Sequence, residues 1–162
     1  MVHLVGPGGA GKSTVGPLLA ERLGVPFFDL DRLFDARFGD ISAFIDNHGY
    51  QEYVRRNVET YRALVARAPA DGVIALSSGF MIYAADEVRG SRMFVLLPSL
   101  DRNRCVAETV RRQLTRPFAR SREREERVIR ERFEIYRLLR GVTCETTRPS
   151  PTIVEDILES CR

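Results

Sequence analysis

The segment GPGGAGKS at residues 6–13 constrains this chain more than any other feature. It matches the pattern GxxxxGK[ST] at each fixed position, and it lies between the apolar run MVHLV and the helical pattern STVGPLLAERLG. Glycines at this spacing let backbone N–H groups surround a phosphate chain beside a helix N-terminus, which favours anions. We therefore expect a strand, a phosphate-binding loop and a helix, in that order.

The lysine of this loop, Lys12, is the only lysine in the chain, whereas the other 24 of the 25 Lys and Arg residues are arginines. An ammonium group is a compact point charge on a flexible stem, and a planar guanidinium cannot replace it everywhere. We expect Lys12 to bind the β- and γ-phosphates of ATP and Ser13 to ligate Mg2+. The other loop residues predicted to contact the nucleotide are Gly8, Gly9, Ala10, Gly11 and Thr14.

Length and composition narrow the class of protein further. A chain of 162 residues can bury the core of one domain but is short for two, so we predict a single domain over residues 1–162. It contains no run of 18 apolar residues, and its N-terminus lacks the layout of a signal peptide. Its three cysteines are scattered, which argues against a zinc site or disulfide framework and suits the cytoplasm.

Apolar runs alternate with helical patterns along the chain. The expected strands are MVHLV, VPFFDLD, VIALSS, SRMFVLLPS and, more weakly, GVTCETT. Helical patterns cover approximately 31–68, 101–139 with an interruption at Arg116-Pro117, and 151–160. This alternation predicts an α/β fold of three layers, with a parallel sheet of about five strands covered by helices on both faces.

Two carboxylates, Asp29 and Asp31, end the second predicted strand. Residues i and i+2 of a strand point to the same side, so both would face the crevice where ligands bind in open α/β sheets. One carboxylate could hold hydrated magnesium, and the other could orient an acceptor hydroxyl or take its proton. The alternative is that Asp31 is a helix N-cap and Asp29 an ordinary surface residue.

The basic residues are concentrated in one segment. Residues 101–140 hold thirteen arginines against seven acidic residues. Such a segment could meet nucleic acid or nucleotide phosphates, but the acids interleaved in RSREREERVIRER also fit a solvated, salt-bridged helical face. The interleaved charges and the absence of tryptophan argue against nucleic-acid binding.

In this order, the motifs resemble the shikimate kinase family over nearly the whole chain: the phosphate loop, Asp29-Leu-Asp31, an R-x-x-E helix, a glycine-rich strand end, an R-P lid and R-x-x-x-Y. The resemblance implies a P-loop kinase fold that uses ATP and Mg2+ to phosphorylate shikimate or a related small hydroxy-acid. It also implies a mobile lid at approximately 111–124 and an acceptor-binding helical region at approximately 31–62.

On the acceptor side, the resemblance implies that Asp31 contacts and helps to activate a hydroxyl, and that Arg56 and Arg132 bind the carboxylate. Arg55 is the near rival of Arg56. Two guanidinium groups can clamp one carboxylate. The alternatives are an i,i+3 surface pair of Arg56 with Glu59, worth about 0.3 kcal/mol, and pairing of Arg132 with nearby glutamates.

On the nucleotide side, the resemblance implies that Asp29 acts through magnesium and that Arg116 moves in with the lid to neutralise the transferring phosphoryl group. A lid that closes in this way excludes water, which competes with the acceptor hydroxyl. The arginines expected to flank adenine are Arg111 or Arg112, and Arg148.

The sequence departs from the family at the acceptor. A run of three glycines is replaced by Ser77-Ser78-Gly79, and the family's G-E-x-x-F-R run loses its glutamate and shifts by one residue in 49–56. We expect Ser78 and Gly79 to contact the acceptor. The two serines would either shrink its pocket or hydrogen-bond a different substituent.

Rival functions remain open at this point. The fold could serve as a non-catalytic sensor of a small acid, although a sensor has no need to keep both Lys12 and Asp31. A gluconate- or nucleotide-type kinase is also possible, and the paired arginines favour an acid over a nucleotide. We predict a kinase that is monomeric and binds neither nucleic acid nor membrane.

Overall fold

The computed structural model describes residues 1–115 and 121–161, and the described part contains one sheet of five parallel strands in the order β2-β3-β1-β4-β5. The strands are β1 Val2–Val5, β2 Phe27–Asp29, β3 Val73–Ala75, β4 Arg92–Leu97 and β5 Val142–Glu145. The phosphate loop follows β1, the central strand, and so lies in the middle of the carboxyl edge of the sheet. The predicted parallel sheet is confirmed.

Eight α-helices accompany the sheet within the described residues. They are α1 Lys12–Leu23, α2 Leu30–Phe38, α3 Ile41–His48, α4 Tyr50–Val65, α5 Phe80–Tyr83, α6 Arg102–Leu114, α7 Arg122–Leu138 and α8 Ser150–Glu159, with a 3-10 turn at Ala85–Val88. The helical region from residue 31 divides at Gly39 and Gly49, whose φ angles of 84° and 85° end a helix at low cost only for glycine. No helix of the described ranges has the length and apolar character of a membrane span.

Two apolar clusters cover opposite faces of the sheet. One joins β1 and β4 to α1 and α8 through residues such as Leu4, Val15 and Ile153. The other includes Phe80 of α5 and Phe133 of α7. Burial of each such side chain contributes about 1.5–3 kcal/mol relative to its exposure. The three-layer architecture predicted from the alternating pattern is therefore confirmed.

The strand–helix boundary after β2 corrects one prediction. β2 ends at Asp29 and α2 begins at Leu30, so Asp29 and Asp31 do not share one face of a strand. Asp29 is itself the N-cap of α2, and its carboxylate accepts hydrogen bonds from the backbone N–H groups of Asp31 (3.1 Å) and Arg32 (3.4 Å). An aspartate satisfies N–H groups of the first helical turn, which overrides the strand alternation. The alternative of an aspartate N-cap is correct for this helix, but the cap is Asp29 and not Asp31.

A buried histidine makes stability depend on pH. His3 of β1 is 1% exposed, and its Nε2 lies 3.0 Å from the Tyr61 hydroxyl. Burial, followed by the charge of the N-terminus, lowers the pKa of His3 from 6.5 to about 4. The unfolded chain therefore takes up a proton as the pH falls below 6.5, whereas the folded chain does so only near pH 4. The stability present above pH 6.5 is lost across this window.

We expect the free energy of unfolding of the natural chain to fall by about 2 kcal/mol more than that of His3→Phe between pH 7 and pH 4.5. Urea unfolding of both chains at the two pH values measures this difference. Equal losses in the two chains would show that His3 does not carry the pH dependence.

Candidate active site

The phosphate loop is built around the lysine. Lys12, at the start of α1, is 8% exposed, and its Nζ donates hydrogen bonds to the carbonyl oxygens of Gly6 (2.7 Å) and Pro7 (2.9 Å). Gly11, the N-cap of α1, has a φ of 96°, in the left-handed region that favours glycine. The loop thus curls over its own ammonium group at the positive end of a helix.

Helix α6 lies against the other side of the loop. A Cβ placed on Gly9 would lie 3.3 Å from Cβ of Arg112, and a Cβ on Gly8 would overlap the Gln113 side-chain amide. Glycine at these positions therefore allows α6 to approach the loop backbone. The structure places the predicted loop residues 8–14 together beneath the start of the segment predicted to be the lid.

A cavity of about 310 Å³ opens between this loop and the start of α2. It brings together most of the residues predicted for the nucleotide and the metal: Gly9, Ala10, Gly11, Lys12, Ser13, Thr14, Asp29, Asp31 and Arg112. Arg32, Asp35, Ala75 and Leu76 complete its lining. Cationic and anionic side chains from different elements therefore face one space at the carboxyl edge of the sheet.

Ser13 and Asp29, the two residues predicted to hold magnesium, are in contact. The Ser13 hydroxyl donates a hydrogen bond of 2.6 Å to Oδ2 of Asp29. Within residues 1–115 and 121–161, no group of three or more His, Cys, Asp or Glu side chains could hold a metal ion by itself. This donor set fits Mg2+, which binds to one or two protein oxygens together with phosphates and water.

A further carboxylate of the cavity, Asp35, was missed by the sequence reasoning. It lies one turn after Asp31 on α2, and this i,i+4 spacing on an amphipathic helix is the signal that could have found it. Burial raises the pKa of Asp35, and the charges of Asp31 and Asp40 raise it further. Helix α2 therefore contributes two carboxylates to the lining of the cavity, together with Arg32.

Arg111 and Arg112, the two residues of α6 proposed as alternatives beside adenine, have different surroundings in the structure. Arg112 is 21% exposed and donates hydrogen bonds to the carbonyl oxygens of Gly9 (3.1 Å) and Thr146 (2.8 Å). Arg111 is 68% exposed and pairs with Glu108. Arg112 therefore ties the phosphate loop to the end of β5 and lines the cavity. Arg148 pairs with Asp156 of α8. Among the described residues that line the cavity, Arg148 is not one.

The segment predicted to be the lid is described in part. Arg116, for which a catalytic and a nucleotide-binding role are predicted, and residues 117–120 lie outside the described residues. Of the approximate lid range, the end of α6, Thr115 and the start of α7 from its N-cap Ser121 are described.

On the acceptor side, Arg56 and Arg55 share two glutamates of α4. Arg56 donates to Glu52 (2.9 Å) and Glu59 (3.1 Å), so the surface pair considered as an alternative does form. Its guanidinium also lies 5.6 Å from the ring centre of Phe38 in α2. Arg55 is more exposed and pairs with the same glutamates. Arg56 is therefore the more buried of the two and the one that borders α2.

Arg132 of α7 lies next to the turn after β3. A Cβ on Gly79 would lie 3.6 Å from Nη1 of Arg132 and 3.2 Å from the Tyr50 hydroxyl, so this glycine leaves room beside both groups. The side chain of Arg132 also interacts with the Tyr136 hydroxyl one turn further along α7. Tyr50 was not predicted from the sequence.

Ser77 does not act as predicted. Its side chain is 4% exposed, and its hydroxyl accepts a hydrogen bond of 2.9 Å from the Asn57 side chain. The expectation that both serines change the acceptor pocket directly is therefore wrong for Ser77, which faces the protein interior. Ser78 is more exposed, and it remains a predicted acceptor contact.

Comparison with known proteins identifies the family. The model of the family described as shikimate kinase matches residues 8–162. The shikimate kinase of Pseudomonas syringae pv. tomato is 34% identical over 96% of this chain and 92% of that relative. That of Thermobifida fusca is 32% identical, over 96% and 90%. The chain belongs to the shikimate kinase family.

The fold comparison agrees with this assignment. The structure of shikimate kinase from Acinetobacter baumannii in complex with shikimate has a TM-score of 0.82 and 26% identity, over 99% of this chain and 91% of that chain. The resemblance noted from the motifs is therefore confirmed, as is the prediction of an ATP-dependent small-molecule kinase. The roles of individual residues in this shikimate kinase family member stay predictions.

Proposed function

We propose that this chain transfers the γ-phosphoryl group of ATP to a hydroxyl of shikimate, giving shikimate 3-phosphate. The observation that carries the proposal is the meeting of Lys12, the Ser13–Asp29 pair and Asp31 around one cavity. The first three suit the phosphates and their metal ion, and the fourth suits an acceptor hydroxyl. A protein that only binds ATP needs the first three residues but not Asp31.

The proposed mechanism assigns the phosphates to the loop of residues 8–14. Lys12, which here donates to two carbonyl oxygens, would exchange them for β- and γ-phosphate oxygens. Ser13 and Asp29 would hold Mg2+, which neutralises charge on the phosphates when bound. The oxygen of the acceptor hydroxyl would bond to the γ-phosphorus while the bond from the γ-phosphorus to the bridging β-phosphate oxygen breaks. Asp31 would accept the proton that this hydroxyl loses.

The acceptor would be held on the far side of Asp31. Arg56 and Arg132 would clamp its carboxylate, and Ser78 and Gly79 would contact its ring. A pair of cationic, forked guanidinium groups suits a carboxylate, so the clamp selects an acid over a neutral sugar. Ser78 replaces a family glycine, so a related hydroxy-acid is the second acceptor to test.

Further assignments complete the proposal. Arg112 and Arg148 would flank adenine, although Arg148 would have to leave Asp156, and Arg116 would close over the phosphates with the lid at approximately 111–124. We also propose one domain over 1–162, a monomeric state, a cytoplasmic location and no nucleic-acid or membrane partner. The charge pairs along α6 and α7, such as Arg111 with Glu108 and Arg122 with Glu126, support the solvated reading of the basic segment.

A coupled assay of ADP release tests the function. With ATP, Mg2+ and shikimate present, we expect a rate well above the rate without acceptor. Gluconate is the comparison hydroxy-acid, and a nucleoside monophosphate represents acceptors of the nucleotide class. A rate that shikimate does not raise would remove it as the substrate, and stimulation by another acid would name the alternative.

The metal assignment predicts a specific defect in Ser13→Ala. This change removes one of two protein oxygens proposed for Mg2+, so the Mg2+ concentration for half-maximal rate should rise about tenfold, a loss of about 1.4 kcal/mol. Titration of the rate with MgCl2 at fixed ATP measures it. Ser13→Thr keeps the hydroxyl and should restore the natural titration. An unchanged midpoint in Ser13→Ala would contradict the assignment.

A further inference from the structure

A buried polar cluster lies beneath the acceptor side and outside the phosphate cavity. Its centre is Asn57 of α4, which has no exposed surface. The Asn57 Nδ2 lies 2.7 Å from the Tyr83 hydroxyl, 2.9 Å from the Ser77 hydroxyl and 3.3 Å from the Tyr53 hydroxyl. The cluster thus connects α4 to the end of α5 and to the turn after β3.

The cluster is not fully satisfied. Oδ1 of Asn57 is buried and has no hydrogen-bond partner in 1–115 or 121–161. A buried acceptor without a partner costs about 1–3 kcal/mol, which offsets part of what the bonds of Nδ2 contribute to stability. What the cluster does achieve is to hold Ser77, the first residue of the three-residue segment 77–79, named here the acceptor turn.

A second hydrogen bond holds the acceptor turn from the opposite side. The hydroxyl of Tyr136 in α7 donates to the carbonyl oxygen of Ser78. Tyr136 is buried, and Arg132, one helical turn earlier, interacts with the same hydroxyl. Arg132 also borders Gly79, as described above. The turn, the tyrosine and the arginine therefore form one connected group.

The two helices that carry the proposed carboxylate clamp make few direct contacts with each other, although Tyr61 of α4 and Phe133 of α7 belong to the same apolar cluster. Helix α4, with Arg56 directly before Asn57, packs mainly on α2 and α3, and α7 packs mainly on α6. Both helices lie wholly within the described residues, and they make no extended contact with each other. Hydrogen bonds from both helices meet in the acceptor turn, at adjacent residues Ser77 and Ser78.

We propose that Asn57 and Tyr136 are positioning residues that fix, through the acceptor turn, the placement of Arg56 relative to Arg132 around the acceptor carboxylate. This inference rests on the proposed function. Two guanidinium groups bind one carboxylate well only at a set spacing, and small displacements are costly. Ser77, one of the two serines that replace glycines of the family's run, is then the residue by which α4 holds the turn.

Single hydroxyl deletions test the proposal. Ser77→Ala removes the hydroxyl that bonds Asn57, and Tyr136→Phe removes the hydroxyl that bonds the Ser78 carbonyl. Neither change removes a ring or alters the backbone. We expect the KM for shikimate to rise about tenfold in each, as for one lost hydrogen bond, and the KM for ATP to stay within twofold. The matched control is Tyr61→Phe, which deletes another hydroxyl of a buried α4 side chain, bonded to His3, and should leave both KM values unchanged.

A double variant examines the Asn57–Ser77 bond itself. Asn57→Ala and Ser77→Ala remove the same bond from its two ends, so their effects on the KM for shikimate should not multiply in the combined chain. Thermal unfolding of each variant separates this effect from loss of fold. Multiplying effects, or equal rises in both KM values, would overturn the proposal.

An acceptor-independent readout keeps this test separate from the proposed function. In the free protein, Ser77→Ala should shift the Nε–Hε NMR signal of Arg132, which lies on the other helix, and Tyr61→Phe should not. If the natural chain turns over no shikimate, the proposed function fails, and this signal still decides the inference. An Arg132 signal that Ser77→Ala leaves in place, or that Tyr61→Phe shifts equally, would overturn it.

Discussion

Lys12→Ala is expected to lower kcat for phosphoryl transfer about a thousandfold, with the fold unchanged. The reason is that Lys12 supplies the compact positive charge in a loop that otherwise offers backbone groups, and charge stabilisation of this kind is worth about 10²–10³ in kcat per donor. Single-turnover measurements with saturating ATP and shikimate give the value. Circular dichroism confirms that the variant folds.

Two matched variants make the Lys12 result specific. Lys12→Arg keeps the charge but places a planar fork where the ammonium group of the buried Lys12 donates to two carbonyl oxygens, so it should rescue less than a tenth of the activity. Arg22→Ala removes a cation from the other end of α1, where it pairs with Glu155 at the surface, and should leave kcat unchanged. A Lys12→Ala enzyme within tenfold of the natural rate would contradict the role of the loop.

Asp31→Asn should lower kcat about 10²–10⁴-fold, the range typical for loss of a general base, while the KM for ATP changes little. The amide keeps the size of the side chain but cannot take a proton from the acceptor. Initial rates over a matrix of ATP and shikimate concentrations separate the two effects. Because Asp31 lines the cavity without capping α2, the substitution should leave the helix in place.

Asp35→Asn is the control for Asp31, since it removes a carboxylate from the same cavity wall one turn further along α2. We expect a change in kcat of less than tenfold, as for a general change in the field of the cavity. If both variants lost activity equally, the effect would belong to the anionic wall and not to a base at Asp31.

The phosphate loop was predictable because its chemistry is local. Its glycines, Lys12 and Ser13 are set by a few neighbouring residues, and the strand and helix on either side follow from hydrophobic spacing. The order of strands and helices followed for the same reason. Asp29 shows the limit of this reasoning, because a cap that satisfies two N–H groups ends β2 earlier than the alternation indicates.

Contacts between distant residues could not be read from the sequence. Arg111 and Arg112 are equivalent in pattern, and only the packing of α6 over the loop turns Arg112 towards Gly9 and Thr146. Ser77 looked like a change to the acceptor pocket, because its partner Asn57 is twenty residues away. The direction of such a side chain depends on which helix lies behind it.

The proposed reaction passes phosphate from ATP to an acid held beyond Asp31. A ³¹P NMR time course with ATP, Mg2+ and shikimate follows this transfer, because it separates a phosphate ester from free phosphate. We predict one phosphate ester of shikimate for each ADP formed, with little inorganic phosphate. ADP matched by inorganic phosphate, or no ADP at all, would contradict the account.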